Sequence, residues 1–132
     1  MRTDPTIFQF ASQWNWRLVV LFGSAARSKP ARDLDLAVLP GDAMPPLLEQ
    51  GRWQAGLEGL FAPRPVDLLV LSAASSPVVR FEVFRRGHCL FEAEPGLFSR
   101  EQDRAFFLYA DSETFRRQTR EVLYGRLKAC GD

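Results

Sequence analysis

Apolar residues recur along this chain at two different periods, and the changes of period mark out its elements. The run Leu18-Val19-Val20-Leu21-Phe22 is continuously apolar, which predicts a strand over Arg17 to Phe22 covered on both faces. A second strand is predicted over Asp33 to Leu39, ended by Pro40-Gly41, and a third over Val66 to Leu71, after the stop Pro63-Arg64-Pro65. His88 to Phe91 reads as a short fourth strand. Helical patterns fill the intervals. Thr3 to Trp16 predicts a short helix with a loop, capped by Thr3 or Asp4, with Pro5 in its first turn and Ile7, Phe8 and Ala11 turned inward. Ser24 to Ser28 is expected as a helical turn, and Lys29-Pro30-Ala31 as a tight connection.

Asp42 to Phe61 predicts a helix with Pro45 and Pro46 near its start and Leu47, Leu48, Trp53, Leu57, Leu60 and Phe61 as its apolar members. Gly51, Gly56 and Gly59 each cost about 1 kcal/mol there relative to alanine, so a break is expected. Ser75 or Ser76 can cap the next helix, with Pro77 at its first position and a stop at Gly87. The longest helix is predicted from a capping box of Ser99 and Gln102 to about Lys128, with Leu108, Phe115 and Val122 recurring every seven residues as a narrow seam. Strands alternating with helices describe a single α/β domain over residues 1–132.

Composition narrows the class. A chain of 132 residues with 46% hydrophobic and 25% charged side chains can bury a core without staples. Eleven phenylalanines and three tryptophans supply that core. Seventeen basic against sixteen acidic residues leave a formal charge of +1, so nothing global draws the protein to nucleic acid. Cys89 and Cys130 form no metal or redox motif, no apolar run approaches ~20 residues, and the N-terminus lacks a signal-peptide layout. A cytosolic protein is expected.

The candidate chemistry gathers around two strand ends. Asp33 and Asp35 stand at i and i+2, so on a strand they share one face. Side-by-side carboxylates repel and aspartate is a poor strand former, which calls for a cation between them; a hard divalent ion prefers such oxygen ligands. Gly23-Ser24 ends the preceding strand, where glycine permits close backbone approach and the following amides can hold phosphate oxygens. Asp67 opens a third strand. Taken singly, each has a plainer reading: a solvated strand face, a turn, a polar strand start. Together they supply the parts of metal-assisted nucleotidyl transfer.

Phe22-Gly23-Ser24, Asp33-Leu34-Asp35-Leu36 and Val66-Asp67 together resemble the signature of the DNA polymerase β-type nucleotidyltransferase superfamily. Within it, the size and the segments Val79-Arg80-Phe81-Glu82-Val83-Phe84-Arg85-Arg86-Gly87 and Leu90-Phe91-Glu92, followed by a helix with Tyr109 and Asp111, resemble the minimal nucleotidyltransferases (MNT), the antitoxin partners of HEPN toxins. Arg27 followed by Ser28 and the eight-residue connector before Asp33 depart from the usual pattern on the phosphate side. The resemblance implies a small α/β (α+β) nucleotidyltransferase domain, a mixed sheet of about four strands flanked by helices, with a long C-terminal helix. It implies Mg²⁺ held by Asp33, Asp35 and Asp67, with Asp67 also taking the proton of an attacking hydroxyl. Gly23, Ser24 and Arg27 would bind the nucleotide, with Lys29 adding charge. The implied reaction moves AMP from ATP to a hydroxyl, a tyrosine of a cognate HEPN toxin. The alternatives are neutralisation of the partner by contact through a degenerate site, and transfer to RNA or a small molecule. In the pairing reading, Leu108–Phe115–Val122 and Arg116, Arg117 and Arg120 are the expected docking face.

Overall fold

The computed structural model describes residues 5–23 and 33–130, with side chains of the last helix described through Ser112 and at Arg117. The elements run α1 (Pro5–Trp14), β1 (Trp16–Phe22), β2 (Leu34–Pro40), α2 (Leu47–Phe61), β3 (Val66–Val70), α3 (Pro77–Arg85), β4 (His88–Glu92) and α4 (Leu97–Cys130). The four strands form one sheet in the order β3-β2-β1-β4. β1 is antiparallel to β2 and β4, while β2 and β3 are parallel, so the sheet is mixed as expected. A parallel pair needs a crossover connection, and α2 is that crossover. The expected caps Thr3 and Asp4, the Ser24–Ser28 turn, and Arg27 and Lys29 lie outside the described residues.

Alternation along the strands divides the core into two layers. Val19, Leu34, Leu36, Val38, Val66 and Val70 pack against Ile7 and Ala11 of α1 and Trp53 and Leu57 of α2. Leu18, Val20 and Ala37 face the other way, against Val83 and Phe84 of α3 and Leu97 and Ala105 of α4. The first layer is closed by indoles. Trp14 and Trp16 lie 5.4 Å apart, Trp16 meets Trp53 edge-on at 5.4 Å, and Phe10 stacks on Trp14 at 5.1 Å. Asn15, between the two tryptophans, turns the chain in the left-handed region (φ 55°), and its carbonyl accepts the Gly41 amide at 2.8 Å.

Several local expectations change. Phe8 is 55% exposed instead of inward, because Ile7 and Ala11 define the buried line and Phe8 stands one 100° step off it. The second helix begins at Leu47, five residues later than predicted, since Pro45 and Pro46 hold the chain extended up to the cap. Leu47 and Leu48 in its first turn are exposed, at 84% and 73%. Its glycines do not break it. Gly56 earns its place through Trp14, whose ring would lie 3.1 Å from an added Cβ.

Ser76 caps α3, its hydroxyl accepting the Val79 amide at 3.2 Å, with Pro77 next, as expected. The last helix starts two residues before Ser99, so the predicted capping box does not form. The Glu92 carboxylate accepts the Phe98 amide instead, at 3.1 Å, and the Gln102 amide donates to the Phe84 carbonyl at 2.8 Å. Of the seven-residue seam, Leu108 is half-buried and the side chains of Phe115 and Val122 lie outside the described set.

Candidate active site

The strand register brings the aspartates to one end of the sheet. Phe22, the last residue of β1, pairs with Asp35, and Asp35 in turn lies opposite Asp67 of β3. Asp33 just precedes β2, on the same side of the chain as Asp35. By alternation with Leu34, Leu36 and Val66, all three carboxylates belong to the face that α3 and α4 cover. Asp67 is the second residue of its strand, not the first, because Val66 has already entered the core. The Leu34 amide donates to the Pro65 carbonyl at 2.9 Å, which locks the two strand starts together.

Gly23 follows directly. Its φ of 74° is in the left-handed region, and a Cβ there would run into the Asp35 carboxylate. Glycine is therefore required twice over, by backbone conformation and by the closeness of the turn to the acid. The predicted strand-ending turn at Gly23 is thus observed, and the group that comes close to its backbone is the Asp35 carboxylate. Ser24 and Arg27 lie outside the described residues.

Electrostatics mark Asp35 as the central acid. It is half-buried, and desolvation, then the charges of Asp67 and Asp33, raise its pKa above the ordinary 3.8. Asp33 and Asp67 are exposed. Among the described residues no three His, Cys, Asp or Glu side chains close into a finished metal cage. Like charges keep such a trio apart. The donor chemistry is nevertheless that of a hard divalent cation: oxygen only, all anionic, aligned across adjacent strands. That cation would relieve the repulsion that raises the Asp35 pKa.

The sequence reading passed over one buried charge. Arg80 is 5% exposed, donates to the Ser72 carbonyl at 2.6 Å and stands 3.6 Å from the Glu101 carboxylate. Burial lowers its pKa, and Glu101 partly offsets this. One side chain thus joins the exit of β3 to both helices above the aspartate face. Only a helical phase placing Arg80 beside Val83 and Phe84 signalled it.

A family model described as "Polymerase beta, Nucleotidyltransferase" matches residues 6–95, and the chain belongs to that family. Members generally use divalent metal ions. The fold is similar to solved structures. One is a chain of a toxin–antitoxin complex with AMP-PNP (20% identity, 90% of this chain and 96% of that one, TM-score 0.72). A second is a chain of the MntA–HepT toxin–antitoxin structure (20% identity, 89% and 93%, TM-score 0.67). A third comes from a tri-AMPylated Shewanella oneidensis HEPN toxin in complex with MNT antitoxin (20% identity, 89% and 92%, TM-score 0.67). A search of curated proteins by sequence finds no significant match. No helix among the described residues is long and apolar enough to cross a membrane.

Proposed function

We propose that this member of the Polymerase beta nucleotidyltransferase family transfers AMP from ATP to a hydroxyl of a partner protein, a tyrosine of a HEPN-type toxin, and thereby acts as an antitoxin. The observation that carries the reading is the row Phe22–Asp35–Asp67, which brings a glycine turn and three carboxylates to one sheet end. The neighbours solved as toxin–antitoxin complexes, one with AMP-PNP and one with an AMPylated toxin, support the substrate and partner classes.

In this reading Asp33, Asp35 and Asp67 hold Mg²⁺, which when bound neutralises phosphate charge. The Gly23 turn, with Ser24 and Arg27, grips the outer phosphates. Asp67, on the edge strand and so the most peripheral of the three acids, takes the acceptor's proton as the acceptor's oxygen attacks the α-phosphorus. The bond from that phosphorus to the β-phosphate oxygen breaks and pyrophosphate leaves. Rate depends on holding the acceptor hydroxyl in line with the bond that breaks, and in this reading the partner's own fold presents that hydroxyl.

Intact-mass spectrometry tests this. A HEPN-type toxin incubated with this chain and Mg-ATP should gain one or more AMP masses on tyrosine. Asp35→Asn should reduce the rate by about 100-fold or more, the equivalent of several kcal/mol of charge stabilisation. A partner inhibited in a stable complex yet unmodified would replace the enzyme reading with neutralisation by contact.

A further inference from the structure

Carried toward the next strand, the same end of the sheet points to a residue outside the glycine turn and the three aspartates. β1 pairs with β4 on its other edge, with Leu21 opposite His88. Phe22, Asp35 and Asp67 form a row across β1, β2 and β3, and β4 begins beside this row at His88, with Arg86 and Gly87 immediately before it. Adjacent strands lie about 4.8 Å apart, so this junction is about two strand spacings from Asp35 and one from the Gly23 turn.

The junction is rigid. A Cβ on Gly87 would strike the Val83 carbonyl and come within 2.6 Å of Val20 Cγ1, so α3 ends pressed onto β1 with no slack. The helix above is also fixed in rotation. Its Val83 and Phe84 face the sheet, while Phe81 stacks on Tyr109 at 3.9 Å and Phe84 meets Phe98 at 5.7 Å, so α4 occupies one flank. At 100° per residue, Val79 and Glu82 fall on the opposite flank, and Arg86 follows them as the C-cap, where the backbone leaves the helix (φ -133°, ψ 24°). That flank is not covered by α4. Arg86 is exposed, and no ion pair within 4 Å engages it or its neighbour Arg85 among the described residues. Arg85 points elsewhere, its guanidinium 5.8 Å from the Phe81 ring.

We infer that Arg86 binds the outer phosphates of the nucleoside triphosphate, from the β4 side of the Gly23 turn. A guanidinium anchored on a rigid backbone junction suits a phosphate group, since its planar fork can donate two parallel hydrogen bonds. The side of the site also matters. Asp67 lies at the β3 end of the row, which in the proposed reaction is the acceptor's end, leaving the β1–β4 end for the leaving pyrophosphate. The inference rests on the proposed nucleotidyl transfer and adds a cation on this chain that neutralises pyrophosphate as it departs.

Calorimetry with Mg²⁺ and AMP-PNP, then with AMP, separates the outcomes. Arg86→Gln should bind AMP-PNP about five- to tenfold more weakly, a partly exposed charge-assisted contact. Its AMP affinity and melting temperature should stay at the wild-type values. Arg86→Lys should recover part of the loss, and Arg85→Gln should bind like wild type. Equal AMP-PNP binding by Arg86→Gln and wild type overturns the inference while leaving nucleotidyl transfer standing. So does an equal loss for AMP and AMP-PNP, which would mark a structural role. A wild-type protein with no Mg²⁺-dependent triphosphate binding overturns both.

Discussion

The two faces of the sheet are closed by different physics. On the α1–α2 face, three indoles and Phe10 interlock with aliphatic strand residues, and among the described residues no charge is buried in that layer. On the α3–α4 face, the aliphatic layer is smaller, and a buried arginine bridges Ser72 and Glu101 within it. The aspartates emerge on this second face, at its end. Area burial is non-directional, whereas an arginine fork and a carboxylate fix distances and angles. The first face supplies cohesion; the second holds charged groups in position at a cost in stability.

The contrast can be broken most severely on the first face. Trp53→Ala should cost about 3–5 kcal/mol, read by chemical denaturation, because Trp53 is 3% exposed and packed against two other indoles. Trp53→Phe should cost much less. The Trp53 indole N–H is buried without an acceptor among the described residues, and phenylalanine removes that unpaired donor along with some area.

On the second face Gly87→Ala should cost about 1–3 kcal/mol, because the new methyl group meets backbone and Val20 at the point where α3 joins β4. The two members of the buried charge pair should then differ. Arg80→Met should cost about 1–3 kcal/mol by stranding the Ser72 carbonyl, whereas Glu101→Gln should cost under about 1 kcal/mol, since the 3.6 Å pair is the weaker of the two contacts. Equal losses at both positions would make the ion pair, not the carbonyl bond, the clamp.

The smallest effect carries the opposite sign. Asp35→Asn should raise the stability of the metal-free protein at neutral pH, by at most about 1 kcal/mol. The folded state raises this carboxyl's pKa, so the ionised form is disfavoured on folding, and that cost is fully present above the folded pKa. As pH falls through the folded value toward the unfolded 3.8, both states become protonated and the advantage of asparagine should vanish. Melting curves from pH 7 to pH 3 check this, and added Mg²⁺ should stabilise the wild type but not the mutant.

What the sequence alone determined here was local or periodic. The apolar run before Gly23, the alternation that sets Asp33 with Asp35, and the Ser76-Pro77 cap depend on neighbours within a few residues, and all were legible. The polar members of the site stood out because acids at strand starts oppose both propensity and each other. Tertiary structure decided the rest. The late start of α2, the exposure of Phe8, and Glu92 in place of Ser99 as the cap of α4 depended on groups distant in sequence. The alignment of Phe22, Asp35 and Asp67 is likewise a matter of register, which is set by strand pairing across the sheet. Arg80 shows the limit most plainly. An arginine in a helix reads as surface until the fold supplies a carbonyl and a carboxylate to receive it, because burying a charge is tolerable only with partners that no local pattern reveals.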